Sequence, residues 1–174
     1  MTTATDLHPL EGRSARLTLA AVRVMLALLW MQGAGWKNPS RFGTSGGFFY
    51  DFTANAVTHE VFAPWAWIVD KLILPNWTVF AWSAFLIEVL LAVFLLLGLA
   101  TRLWALVGAA QSLAILLSVA NTPDEWGWSY WLMIAGHLAV WSTAAGRWYG
   151  IDGVLRPSWA ASEGAFARLM MRMS

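Results

Sequence analysis

Four apolar runs constrain this chain more than any other feature. They lie at about Leu17–Trp36, Trp77–Gly98, Leu103–Ala120 and Trp128–Ala145. Each approaches or exceeds the roughly 20 residues that an α-helix needs to cross the hydrocarbon core of a bilayer. The expected fold is an all-α membrane protein, a four-helix transmembrane bundle. Composition agrees, because the chain is 59% hydrophobic and 12% charged, against about 25% charged in soluble domains.

Orientation follows from the basic residues that flank the runs. Arg13, Arg16, Arg102, Arg147, Arg156, Arg168 and Arg172 fall on one side, and Lys37, Arg41 and Lys71 on the other, against the acids Asp51, Glu60, Asp70, Asp124 and Glu125. The multi-pass chain is therefore expected in the inner (plasma) membrane with both termini cytoplasmic. Met1–Leu10 is polar and no small-residue cleavage site follows the first run, so no signal peptide is read there. The organisation expected is a cytoplasmic tail over residues 1–16, a transmembrane domain over 17–146 and a cytoplasmic amphipathic segment over 147–174.

Between the first two runs stands a long outer loop, residues 38–76. Its Gly43–Gly47 stretch cannot hold a regular helix, whereas Val57–Leu74 carries apolar residues at helical spacing and is expected to lie in the outer interface or dip toward the bundle. Gly98 is available as a helix C-cap before a tight turn to Arg102. Trp36, Trp65, Trp67, Trp77, Trp126, Trp128 and Trp131 fall near the outer interface, either as an aromatic belt or as the mouth of an aromatic-walled pocket. Trp159–Met173 reads as one amphipathic surface helix. Ala20, Gly33, Ala84, Gly108, Ala109, Gly136 and Ala139 are expected at close helix contacts.

Polar groups inside the apolar runs are costly and persist where they meet a partner or line a pathway. Arg23, Glu88, Gln111 and His137 are such groups, one on each run. At 1.5 Å rise per residue, Glu88 and His137 lie near the midplane and Arg23 enters about 9 Å from the cytoplasmic side. One reading makes them helix–helix glue, with Arg23 paired to Glu88. Another makes them a quinone pocket or proton path, with His137 donating to a quinone carbonyl and Glu88 relaying a proton. A third is transport of a small molecule, although the chain lacks the internal repeat many transporters show.

Other chemistry finds little footing. There is no cysteine, which removes disulfides and thiolate metal sites. Haem ligation by two histidines is not expected, since only His137 lies inside a run while His8 is in the tail and His59 in the outer loop. No metal-ligand spacing is present. A net charge of +1 gives no footprint for nucleic acid.

The stretch Ala20-Ala21-Val22-Arg23 through Gly33-Ala34-Gly35-Trp36-Lys37-Asn38-Pro39, the block from Glu88 to Leu95-Leu96-Leu97-Gly98-Leu99-Ala100-Thr101-Arg102, and the closing Gly146-Arg147-Trp148-Tyr149-Gly150-Ile151-Asp152 together resemble the DoxX/DoxD family. The resemblance implies a four-helix membrane protein akin to the small DoxD subunit of thiosulfate:quinone oxidoreductase. Such a subunit passes electrons from thiosulfate or another small donor to quinone with a membrane or membrane-attached redox partner, and is not catalytic alone. The rival is a non-catalytic accessory or assembly subunit of a larger membrane complex. The candidate catalytic residues are Glu88, His137 and Arg23. The candidate quinone contacts are Gln111, Trp30, Trp82 and Lys37, with Trp30 and Trp82 stacking from the outer half of the membrane.

Overall fold

The computed structural model describes residues 12–174. Most of the expected N-terminal tail, His8 included, lies outside the described residues. Every regular element among them is helical. The long helices are α1 (Arg13–Gly35), α4 (Trp77–Leu97), α5 (Thr101–Val119) and α6 (Gly127–Thr143). Shorter ones are α2 (Phe48–Thr58), α3 (Ala63–Ile68), α7 (Ile151–Ala160) and α8 (Ala165–Met173).

Three helical stretches are long and apolar enough to cross a membrane: α1, the run Ala63–Leu97 that joins α3 to α4, and α5. Where the fourth span was expected stands α6, a helix of 17 residues, which is not among those three. The principal packing is α5 against α6, α1 against α4, and α1 against α6. In each of the three spans only a third of the most apolar window is buried within the protein. Met25, Leu28, Val79, Leu86, Leu113 and Leu132 instead project outward. An apolar exterior around a packed interior suits a lipid solvent, because hydrocarbon leaves such side chains no reason to turn inward.

Small residues set the helix contacts. Ala20, Ala84 and Gly108 are buried, and a Cβ on Gly108 would enter the His137 ring. Ala139 is a correction, since it faces outward and makes no close helix contact.

The outer segment also departs from expectation. The helix expected over 57–74 is broken at 59–62, and Phe62 is extended at φ −148° and ψ 111°. Pro64 explains the break: within a continuous helix its ring would strike the carbonyl four residues back, whereas in a first turn its missing N–H costs nothing. The chain therefore forms α2 before the break and α3 after it. α3 runs through a π-helical turn, Val69–Ile73, and a 3₁₀ turn, Leu74–Asn76, into α4. Pro75 in the 3₁₀ turn removes a donor from the ladder at that junction. The C-terminal segment is likewise two helices rather than one, interrupted at 161–164.

Candidate functional site

The polar residues of the helical runs separate into two groups. Arg23 does not meet Glu88, which corrects the expected pair. Its Nη1 donates to the carbonyls of Leu95 and Leu96 at 2.6 and 3.0 Å, and its Nη2 to that of Tyr149 at 3.1 Å. The last carbonyls of α4 have no partner within their helix and lie at the negative end of its dipole, so a guanidinium with five donors satisfies them. Gly98 then reverses the chain in the left-handed region at φ 65°. A Cβ there would strike the Arg23 guanidinium and lie 2.8 Å from Gly150 Cα.

The closing glycine-rich motif completes this junction. Asp152 accepts from the backbone N–H groups of Ala100 and Thr101 at 2.8 and 2.9 Å, so it caps the start of α5 from a distant part of the chain. Its own N–H donates to Gly98 O at 2.9 Å. Gly146 lies so close to Thr101 and Asp152 that a Cβ would collide with both. Arg23, Gly98, Gly146 and Asp152 thus fasten the arginine-rich end of the bundle, and Arg23 does not reach the cavity described next.

Glu88 is paired instead with Lys37. The Lys37 Nζ donates to Glu88 Oε2 at 2.6 Å and to Gly33 O at 3.0 Å, and both side chains are almost wholly buried. Lys37 lies two residues beyond α1, and its stem folds back one helical turn to reach the acid. The ammonium also sits 4.1 Å from the Trp36 ring centre and 4.9 Å from that of Phe49. The pair lines a cavity of about 500 Å³. Gln111 joins it there, while Trp30, Trp36, Phe49, Phe52, Trp65 and Phe80 are among the aromatic walls.

His137 is fully buried one layer behind Trp30. The Trp30 indole N–H donates to His137 Nε2 at 2.9 Å. Indole is only a donor, so Nε2 is the acceptor and the neutral ring carries its proton on Nδ1. That atom has no partner among the described residues. His137 is not part of the cavity lining, so it orients Trp30 and has no direct route to a ligand carbonyl. Trp82 also stands elsewhere: it is exposed and packs on Phe42 and Phe85 at centroid distances of 5.2 and 6.2 Å.

Of the residues expected at the site, the structure brings Glu88, Gln111, Lys37 and Trp30 together and leaves out Arg23, His137 and Trp82. Phe48, Phe49, Phe52 and Thr53 on α2 were missed, as were Phe80 and Tyr130. Their signal was an aromatic face at positions 48, 49 and 52, one helical turn directly after the glycine run. The outer tryptophans divide between the two readings. Trp36 and Trp65 line the cavity, Trp67, Trp126, Trp128 and Trp131 are exposed in the manner of an interfacial belt, and Trp77 fits neither reading, since it is buried against Phe49 and Tyr50.

Chemically, the cavity is lined mostly by apolar and aromatic side chains and offers an ammonium, a carboxylate and an amide as its charged and amide groups. Among the described residues, no three of His, Asp and Glu stand close enough to hold a metal ion.

Comparison with known proteins places this geometry in a family. No curated protein and no solved structure matches the chain. The family described as "TQO small subunit DoxD", where TQO is thiosulfate:quinone oxidoreductase, matches residues 18–171. That match takes in the Arg23 clamp, the Lys37–Glu88 pair and the Asp152 cap, and the chain belongs to the DoxD family.

Proposed function

We propose that this protein is the membrane subunit of a quinone-linked oxidoreductase and that its cavity receives the quinone head group. The observation that carries the reading is the aromatic slot closed by Lys37, Glu88 and Gln111. When bound, the quinone supplies the acceptor, taking up electrons together with protons. Lys37 Nζ and the Gln111 amide would donate hydrogen bonds to a ring carbonyl, and the Glu88 carboxylate, paired with Lys37, would hold the ammonium in place beside it. Trp36, Phe49 and Phe80, which line the cavity, would hold the ring by aromatic contact and exclude water. Thiosulfate or another small donor delivers electrons through a partner protein. In this reading α6 is a fourth span, since 17 residues give about 26 Å of helix. The arginine-rich end then faces the cytoplasm of the inner membrane.

The exposed Trp67, Trp126, Trp128 and Trp131 support a second reading, an accessory subunit that docks or stabilises a larger respiratory assembly. Two substitutions that leave the ion pair intact separate the readings. Ala114→Phe fills the cavity and Gln111→Leu removes a donor. Under the quinone reading, quinone extracted per folded protein falls severalfold in both. Unchanged quinone in both variants, with stoichiometric recovery of respiratory-chain subunits from native membrane, gives the accessory reading instead.

A further inference from the structure

At the arginine-rich end, the starts of α1 and α5 meet the segment that follows α6. The Arg16 guanidinium lies 4.4 Å from the centre of the Trp148 ring, and that of Arg102 lies 5.4 Å from that of Trp141. The Nε atoms of Arg16, Arg102 and Arg147 and the indole nitrogen of Trp148 are buried with no hydrogen-bond partner among the described residues. No ion pair among the described residues relieves them. Among the described residues the pairs are Lys37–Glu88 and Lys71–Asp70, both in other parts of the structure. Asp152, the nearby carboxylate, spends both oxygens on the start of α5. Arg147 and Arg156 converge on one atom, the Ser174 carbonyl oxygen, at 3.1 and 3.3 Å. Burial first, and then the like charges of Arg156 and Arg102, pull Arg147 below the ordinary arginine range.

We propose that Arg16, Arg102 and Arg147, framed by Trp141 and Trp148, hold the phosphodiester headgroup of an anionic phospholipid. Buried donors without acceptors are costly, and phosphate oxygens take arginine N–H groups in charge-assisted pairs. The ligand is a lipid because the cluster lies where the apolar helices end, at headgroup level, and the outward faces of those helices meet acyl chains. Basic pockets at membrane-helix ends bind anionic headgroups for this reason. On α8, the exposed Phe166 and Leu169 reach toward the same interface. This site is independent of what fills the aromatic cavity.

Native mass spectrometry of the full chain, equilibrated with phosphatidylglycerol or phosphatidylcholine, tests the site. The unmodified protein retains phosphatidylglycerol in preference, a readout that needs no substitution. The double variant Arg16→Gln with Arg102→Gln lowers that retention about tenfold or more, while Arg13→Gln, an exposed arginine at the same end, leaves it unchanged. Equal retention of the two lipids overturns the proposal, as does full retention by the double variant. Displacement of the lipid by millimolar inorganic phosphate also overturns it, since the cluster would then be a site for a free anion.

Discussion

Lys37 and Glu88 are each almost fully buried and each other's charge partner, so neither can be removed alone without cost. Breaking a buried ion pair from one side costs about 3–5 kcal/mol, whereas replacing both partners with apolar groups is often neutral. Lys37→Met and Glu88→Leu should therefore each lower thermal stability in detergent sharply, and the double variant should recover most of the loss. Arg23→Met should be additive with Glu88→Leu, because the two side chains share no partner. A large coupling energy between positions 23 and 88 would contradict the structure. His137→Leu strands the Trp30 indole N–H, at a cost of about 1–3 kcal/mol. Quinone per folded protein should stay near normal in that variant, since the imidazole does not line the cavity; a collapse in quinone content with normal stability would return His137 to the site.

At the scale of elements, the turn between α4 and α5 is closed by residues far away in sequence. Gly98 holds a left-handed conformation and also admits the Arg23 guanidinium. Gly98→Ala should destabilise by more than the roughly 1 kcal/mol of the backbone alone, because Arg23 must also move. Asp152→Ala removes the cap on α5 and should cost about 1–2 kcal/mol. Both are read as shifts in unfolding midpoint without loss of bound quinone per folded protein, since neither residue lines the cavity. The helices themselves were legible as apolar runs, and Gly98 as a C-cap. The break before α3 was not read in the stretch 57–74, although Pro64 forbids an unbroken helix there. What could not be read was which side chain closes each end. Arg23 and Lys37 are both long cations on one helix and its exit, and either could reach an acid at mid-depth. The choice fell to the packing of α1 on α4, which sets Arg23 beside the end of α4 and Lys37 beside Glu88.

For the whole molecule, the testable quantity is orientation. Ser174 is fully buried and makes a poor labelling position. Ser162, between α7 and α8, and Ser45, in the outer loop, are exposed. With cysteine introduced at each, an impermeant thiol reagent added to intact cells should label position 45 and spare position 162. The reverse pattern would invert the assignment of the arginine-rich end to the cytoplasm.

The sequence by itself determined the solvent and the long helices. Apolar runs of this length, almost free of charge, settle into lipid as helices, and that follows from composition along the chain without any long-range contact. It also held the family signature, because Arg23, Glu88, the Gly98-to-Arg102 turn and Asp152 are read in one dimension. Only the tertiary structure decided what those residues do. A hydrogen bond from Arg23 to Leu95 spans 72 positions, and the Lys37–Glu88 pair spans 51. Such partners depend on helix register and on the few ångströms that a long side chain can travel along its neighbour. That choice turned Arg23 from a candidate in the chemistry into a clamp on a helix end, and Lys37 into the partner of Glu88 in the cavity lining.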